Sequence, residues 1–313
     1  MARIKMAVQK QEVKTLSQCF EDFIKQCKRK NLSEATIRSY RHHLAKFFQY
    51  FGNDTDIAMY AQNTVYDYVS HLQEVLNNPT TINTGLRHLK AFTRFLNEQG
   101  YINAVKISFL KVQETAKDCY TEQELRMLLR KPNIKECSFA EYRNWCMVNF
   151  LIGTGCRIST LINVRIADID FDNAFVTFRH TKNKQPQIIP LPQNLISIIQ
   201  EYLEVRQGTG EDYLFCNDLG TQLHPHSASH AVMAYNRSKG ITKTSAHLFR
   251  HTFAKNWVMQ GGDIFRLQKV LGHQTLQMSQ HYSNLYGVEA LQNTDSFNLF
   301  NKLQSPTKIK VQK

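Results

Sequence analysis

LSEATIRSYRHHLAKFFQYFG, residues 32–52, decides how the first third of the chain folds. Ser33 is a favoured residue before the first turn of a helix, and Gly52 is a favoured residue after the last turn. Between them, apolar side chains recur at helical spacing, namely Ile37, Tyr40, Leu44, Phe47, Phe48 and Phe51. The stretch therefore predicts one amphipathic helix, whose aromatic residues belong to a protein core rather than to a cofactor site.

The sequence on either side repeats this periodicity in three more segments, at about 16–30, 64–76 and 80–99. Together, the four helices predict a bundle over residues 12–102. A weakly patterned stretch with scattered lysines follows, and we interpret residues 103–118 as a linker.

A second, larger domain is predicted for residues 119–286. It opens at Thr121, which has the spacing to Glu124 of a capping box. NAFVTFRH (173–180) and PQIIPL (186–191) have the composition of strands, with the polar turn TKNKQ between them, and helical patterns surround them. The predicted fold class is mainly α with a small β-sheet: a four-helix N-terminal domain, a mixed α/β domain, and a tail over 287–313.

The composition fits a globular protein that binds a polyanion. The 313 residues are 42% hydrophobic and 21% charged, which suits two domains with buried cores. The formal net charge is +13, and Lys and Arg outnumber Asp and Glu on both sides of residue 118. A long polyanion that contacts both domains fits this distribution.

The sequence argues against the membrane and disulfide-rich classes. No apolar run is long enough to span a bilayer, and the first residues, MARIKMAVQKQ, lack the apolar core of a signal peptide. The seven cysteines are an odd number and form no CxxC pair, so we expect reduced thiols, no disulfide and no zinc site. These features predict a cytoplasmic protein.

Six residues suited to phosphate chemistry lie in five short motifs of the second domain. GTGCRISTL contains Arg157, HTKNKQ contains Lys182, HLFRH contains His247 and Arg250, LGHQ contains His273, and SQHYSN contains Tyr282. In HLFRH, the imidazole of His247 and the guanidinium of Arg250 are three positions apart and so share one face of a helix.

This set of side chains suits the cleavage of a phosphodiester. Two guanidinium groups can hold the non-bridging oxygens, on which negative charge grows in the transition state. A tyrosine can attack phosphorus to form a phosphotyrosyl intermediate, and a lysine on a hairpin can protonate the leaving 5′ oxygen. Histidines can donate to the phosphate or move the phenolic proton. This chemistry needs no metal and no cofactor.

The motifs TGCRISTL, TK…IIPL, HLFRHTFA and LGHQTLQMSQHYSN resemble those of the tyrosine recombinases, also called the phage integrase family. The resemblance covers residues 120–285 and extends more weakly to the N-terminal bundle, which is similar to the family's SAM-like core-binding domain. It implies a role for each of the six residues: Arg157 and Arg250 clamp the phosphate, Lys182 is the hairpin general acid, His247 opens the His-x-x-Arg motif, His273 is the His/Trp position and Tyr282 is the nucleophile.

Two assignments have alternatives. Lys184 lies on the same turn as Lys182, and Tyr286 lies one helical turn after Tyr282, although the motif spacing favours Lys182 and Tyr282. His251 falls outside the matched positions and is interpreted as a solvated or structural histidine.

One position departs from the family pattern. Family members usually carry an acidic residue three positions after the first arginine, where this chain has Thr160. The departure puts the surroundings of the site in doubt, but not the reaction.

The resemblance implies a site-specific DNA recombinase of the compact two-domain kind, similar to Xer-type enzymes and mobile-element integrases. Such an enzyme passes through a 3′-phosphotyrosine and a Holliday junction, and it works in the nucleoid as a homotetramer on two duplexes, with accessory DNA-bending proteins as further candidate partners. Integration, excision and resolution of a mobile element or replicon all stay open, as does docking of the tail in cis or in trans. Two rival functions are a catalytically silent DNA-binding architectural protein of the same fold and a type IB topoisomerase-like relaxing enzyme.

Overall fold

The computed structural model describes residues 14–112, 118–181 and 185–290, with side chains described as far as residue 286. The chain divides into two compact units, Met1–Thr115 and Ala116–Lys313. Both units are mainly helical, and the second also contains a three-stranded antiparallel sheet. The predicted fold class is therefore confirmed. No helix in the described part of the chain combines the length and the hydrophobicity needed to cross a bilayer.

Among its described residues, the first unit contains four α-helices: α1 (Leu16–Arg29), α2 (Glu34–Phe51), α3 (Gln62–Val75) and α4 (Pro79–Glu98). Local signals set the ends of α2, because Ser33 Oγ accepts a hydrogen bond from the N–H of Thr36 at 3.2 Å and Gly52 follows the helix with a φ of 98°. Aromatic side chains fill the space between the helices, and the ring centroids of Phe20 and Phe48 lie 4.7 Å apart, edge to face. These aromatics form a core, as the sequence predicts.

The second unit contains eight helices among its described residues: α5 (Glu122–Leu129), α6 (Phe139–Thr154), α7 (Ile158–Leu161), α8 (Gln193–Arg206), α9 (Pro225–Ser238), α10 (Ala246–Met259), α11 (Ile264–Leu271) and α12 (Leu276–Ala290). Helix α6 packs against α5, α8, α9 and α10, so it is buried on most of its surface and lies at the centre of the main core. The predicted capping box starts α5, because the N–H of Thr121 donates to Glu124 Oε2 at 2.7 Å.

The sheet contains β1 (Ile169–Asp170), β2 (Phe175–Phe178) and β3 (Gln187–Pro190), in that order. Strands β2 and β3 form the predicted hairpin, with Phe178 opposite Gln187 and Val176 opposite Ile189. Val176 and Ile189 are buried in the main core, which fixes the register of the hairpin. The two-residue strand β1 was not predicted from the sequence.

A second, smaller apolar cluster lies where α10, α11 and α12 pack together. Its buried members are Ala254, Val258, Leu267, Leu271, Tyr282 and Tyr286. This packing brings the C-terminal motifs of the sequence against the helix that carries HLFRH.

Candidate active site

The turn before Arg157 requires glycine. Gly155 ends α6 in the left-handed conformation, with a φ of 63°, and its N–H donates to the carbonyl of Leu151 at 2.9 Å. A Cβ at this position would lie 2.8 Å from the side chains of both Leu271 and Phe253. The chain then turns into α7, with Arg157 at the N-cap and half-buried. Burial lowers the pKa of Arg157.

Arg250 is the second predicted phosphate clamp, and it is only 3% exposed. Its Nη1 donates to the carbonyl of Gly155 at 3.0 Å, and its Nη2 donates to the carbonyl of Leu271 at 2.8 Å. Burial, and after it the positive charge of Arg157, lower the pKa of Arg250 to about 10. The two guanidinium groups therefore lie close to each other, and Arg250 still carries its charge at neutral pH.

An anion would relieve the repulsion between these two cations. In the described part of the chain, neither Arg157 nor Arg250 forms an ion pair with a carboxylate. Thr160, at the position where the family usually has an acid, is buried and lines the same cavity as both arginines. The site therefore presents an excess of positive charge, which favours a phosphate group.

The cavity shared by the two arginines has a volume of about 680 Å³. Besides the arginines and Thr160, its wall includes Thr181, Gln187 and His273. Lys182, the predicted general acid, lies outside the described residues, and so does its alternative Lys184. Strand β3, which follows both lysines in the sequence, is anchored at this cavity, because Gln187 Nε2 donates to the carbonyl of Val270 at 3.0 Å.

His273 follows Gly272, which ends α11 in the left-handed conformation with a φ of 60°. The imidazole is 8% exposed, and its Nδ1 lies 2.7 Å from the hydroxyl of Ser279. The structure thus places this predicted site residue in the wall of the cavity, beside Arg250.

His247 lies on the other side of Arg157. It is exposed, near the start of α10, and it lines a neighbouring cavity of about 520 Å³ together with Arg157. Among the described residues, no group of three or more His, Cys, Asp or Glu side chains is arranged to hold a metal ion.

Tyr282 lies on α12 and is 4% exposed. Burial raises the pKa of its phenol, while the positive charges of Arg250 and Arg157 lower it. The phenol of this chain therefore lies within the field of the two guanidinium groups of the same chain. The alternative nucleophile, Tyr286, directs its hydroxyl to Cys119 Sγ, 3.5 Å away.

The nearest described partner of the Tyr282 hydroxyl is a histidine that lies outside the matched motif positions. His251 Nδ1 is 2.6 Å from Tyr282 Oη, and the imidazole is only 5% exposed. His251 is therefore not solvated, and of the two interpretations made from the sequence only that of a structural histidine is compatible with this contact. The available sequence signal was its spacing, because His251 is four positions after His247 and the two rings meet edge to face at 4.6 Å.

Comparisons with known proteins cover both units of the chain. Residues 119–287 match the phage integrase family, and residues 20–100 match the phage integrase N-terminal SAM-like domain. Tyrosine recombinase XerA of Pyrococcus furiosus is 30% identical over 296 residues, which cover 93% of this chain and 98% of that protein. A tyrosine recombinase of Pseudothermotoga lettingae is 26% identical over 295 residues, which cover 91% of this chain and 97% of that protein.

Solved structures share the fold over most of the chain. The Tn1549 transposon integrase in complex with transposon right end DNA matches 89% of this chain and 99% of that chain, with a TM-score of 0.73 and 19% identity. A lambda integrase tetramer bound to a Holliday junction matches 87% of this chain and 78% of that chain, with a TM-score of 0.69 and 14% identity. At these identities, the structural matches establish the fold alone.

Proposed function

The chain belongs to the phage integrase family of tyrosine recombinases, and on that premise we propose that it cuts and rejoins duplex DNA at specific sites through a phosphotyrosine on Tyr282. It is a DNA breakage and rejoining enzyme that acts on recombination-site DNA. One observation carries the assignment of the nucleophile: the ring of Tyr282 lies parallel to that of the cavity-lining His273 at a centroid distance of 6.3 Å, and its hydroxyl lies 2.6 Å from His251 Nδ1.

The scissile phosphate binds in the cavity of about 680 Å³. Arg157 and Arg250 hold its non-bridging oxygens and stabilise the negative charge that grows there in the transition state. Tyr282 Oη forms a bond to phosphorus while the bond from phosphorus to the 5′ oxygen breaks. Lys182 gives the 5′ oxygen its proton, and His273 donates to a non-bridging oxygen. The products are a 3′-phosphotyrosine and a free 5′-hydroxyl.

Rejoining is the same reaction in reverse, with the 5′-hydroxyl of a partner strand as the attacking group. The covalent link retains the free energy of the cleaved bond, so the cycle needs no ATP. Two successive exchanges pass through a Holliday junction, which requires a homotetramer on two duplexes. The lambda integrase tetramer, which shares this fold, is bound to such a junction. Through this substrate the protein associates with the nucleoid.

A catalytically silent DNA-binding protein is the less favoured alternative. DNA binding alone gives no reason to bury a phenol against an imidazole at 2.6 Å, next to two guanidinium groups. A type IB topoisomerase-like activity uses the same chemistry, and it is distinguished by relaxation of supercoiled DNA by a single protomer without a preferred site.

The test begins with sheared DNA that contains the gene and its flanks. Wild-type protein is incubated with these fragments, adducts that resist detergent are captured, and their ends are sequenced to locate the cleaved site. A synthetic duplex of that site, nicked so that the short fragment with the newly freed 5′-hydroxyl diffuses away, should then trap wild type covalently. Tyr282→Phe should bind the same duplex and form no adduct. Binding of this duplex by wild type without any adduct would overturn the proposed function.

A further inference from the structure

The nucleophile of the proposed reaction faces one buried imidazole. Tyr282 Oη and His251 Nδ1 are 2.6 Å apart, and the two side chains are 4% and 5% exposed. Helix α10 carries His251 and helix α12 carries Tyr282, and these helices pack directly against each other. The contact therefore belongs to the apolar interior of the unit and not to a mobile surface.

The tautomer of His251 decides which group donates in this contact. With the ring proton on Nε2, Nδ1 has a free lone pair, and the phenol of Tyr282 donates to it across 2.6 Å. A neutral imidazole that accepts at Nδ1 carries its own proton on Nε2.

We propose that His251 is a catalytic residue of the cleavage step and that its Nδ1 is the base that takes the phenolic proton. This inference rests on the proposed function. As Tyr282 Oη forms its bond to phosphorus, the O–H bond of the phenol breaks and the proton moves to Nδ1, leaving an imidazolium. The 5′ oxygen leaves phosphorus with the bonding pair and takes a separate proton from the general acid. In rejoining, the imidazolium returns its proton to the phenolate as the bond from Oη to phosphorus breaks.

The surrounding charges connect this proton transfer to DNA binding. The fields of Arg250 and Arg157 reach Tyr282 Oη, and therefore also the imidazole in contact with it. Without DNA these cations oppose a positive charge on His251, so the proton stays on the phenol. A phosphodiester between the two guanidinium groups adds negative charge and removes part of this opposition. The nucleophile is thus activated when the scissile phosphate is in place.

The other histidines near Tyr282 are less suited to this role. His273 lies with its ring parallel to that of Tyr282 at a centroid distance of 6.3 Å, and its Nδ1 contacts the hydroxyl of Ser279. His247 is exposed and lines the cavity on the far side of Arg157.

The test uses two substitutions of His251 in the full chain and the nicked duplex of the trapped site. His251→Asn keeps a hydrogen-bonding atom close to the Nδ1 position but has no basic nitrogen, and His251→Ala removes both. If Nδ1 is the base, both variants should bind the duplex like wild type and form the adduct about 10²- to 10⁴-fold more slowly. His281→Asn, the same exchange at a ring 6.0 Å from that of Tyr282, is the matched control and should keep the wild-type rate. Wild-type cleavage by His251→Asn would show that the residue only positions the phenol, and it would overturn the inference.

A second comparison separates a base from a structural residue. 3-Fluorotyrosine at position 282 has a more acidic phenol, which depends less on a base to lose its proton. This replacement should raise the cleavage rate of His251→Asn by about tenfold and that of wild type by much less. An equal effect on both proteins overturns the inference.

One measurement needs no variant and serves also if the variants do not fold. ¹⁵N spectra of the wild-type protein should show Nδ1 of His251 without a proton in the neutral ring, and a proton on Nδ1 overturns the inference. If wild type forms no adduct with the duplex, the proposed function fails and takes the inference with it. If wild type and His251→Asn form the adduct equally fast, the inference alone fails.

Discussion

Arg250 donates a hydrogen bond from Nη2 to the main-chain carbonyl of Leu271 at 2.8 Å. Its Nη1 donates to the carbonyl of Gly155 at 3.0 Å. One buried guanidinium therefore connects the turn before Arg157 with the turn before His273. Arg250 thus has a structural role in addition to its proposed contact with phosphate, since it aligns two other residues of the site.

Arg250→Lys should cost both stability and activity. An ammonium cannot reproduce the planar fork that reaches two carbonyls, and a buried carbonyl left without a donor costs about 1–3 kcal/mol. We expect the free energy of unfolding to fall by about that amount in urea titrations, and covalent trapping to be lost. Arg157→Lys is the control. Because Arg157 is only half-buried, it should lose trapping with a smaller loss of stability. Equal stability losses in both variants would contradict the role of the two carbonyls.

Gly155→Ala tests the turn before Arg157. Alanine is strained at a φ of 63°, and its Cβ would lie 2.8 Å from Leu271 and Phe253, so overpacking adds about 1–3 kcal/mol. Gly100→Ala measures the loss of stability from the left-handed backbone alone, because Gly100 has a φ of 69° and open space around it. Gly85→Ala, inside α4 and also in open space, should stabilise the protein by about 0.5–1 kcal/mol. Denaturant titrations should rank Gly155→Ala as the least stable of the three variants. Any other order would contradict the steric clash of the added methyl group with Leu271 and Phe253.

The ends of helices were predictable from the sequence, because local residues determine them. Ser33 and Gly52 bound α2, and Thr121 with Glu124 starts α5, as their spacing indicates. The contact of His251 with Tyr282 was not predictable in the same way. Its partner Tyr282 is 31 positions away, and the periodicity of α10 shows which face a residue occupies but not what packs against that face.

The carbonyl partners of Arg250 could not be predicted from the sequence, for a related reason. The sequence marks an arginine with a histidine on one helical face, which suggests a cation directed at a phosphate. The two acceptors are main-chain carbonyls 95 and 21 positions away. Every residue has such a carbonyl, so the residue type does not show which of them accepts a hydrogen bond. The left-handed glycines beside them, Gly155 and Gly272, were the only visible sign that chain segments approach closely there.

Tyr286→Phe should leave covalent trapping intact, in contrast to Tyr282→Phe. The hydroxyl of Tyr286 contacts Cys119 Sγ at 3.5 Å, whereas the hydroxyl of Tyr282 contacts His251. Replacement of Tyr286 removes the hydroxyl that contacts Cys119 Sγ and leaves the contact between Tyr282 and His251 in place, so the trapping rate on the nicked duplex should stay close to wild type. Loss of the adduct in Tyr286→Phe together with its persistence in Tyr282→Phe would exchange the two assignments.

Lys182→Ala should slow cleavage of ordinary DNA by about 10²- to 10⁴-fold, because an alkoxide leaves poorly without a proton. A duplex with sulfur in place of the bridging 5′ oxygen releases a thiolate, whose conjugate acid has a pKa of about 8.5, so it needs little help from an acid. Lys182→Ala should therefore cleave the sulfur-containing duplex at close to the wild-type rate. Lys184→Ala is the matched control on the same turn and should cleave both duplexes normally. The reverse pattern would assign the acid to Lys184.

Removal of the tail after Ala290, the last residue of α12, should weaken assembly more than DNA binding. The sequence beyond this point carries Leu291, Phe297, Leu299, Phe300 and Leu303, which are apolar side chains that need a surface to cover them. If they dock on a neighbouring protomer, the truncated protein should bind a duplex with one half-site like the full chain but should form few tetramers on two full sites. Mass photometry of both proteins on both duplexes measures this difference. Full assembly together with a lower thermal midpoint would instead show that the tail packs on its own unit, because only then does its loss expose apolar surface within a single protomer.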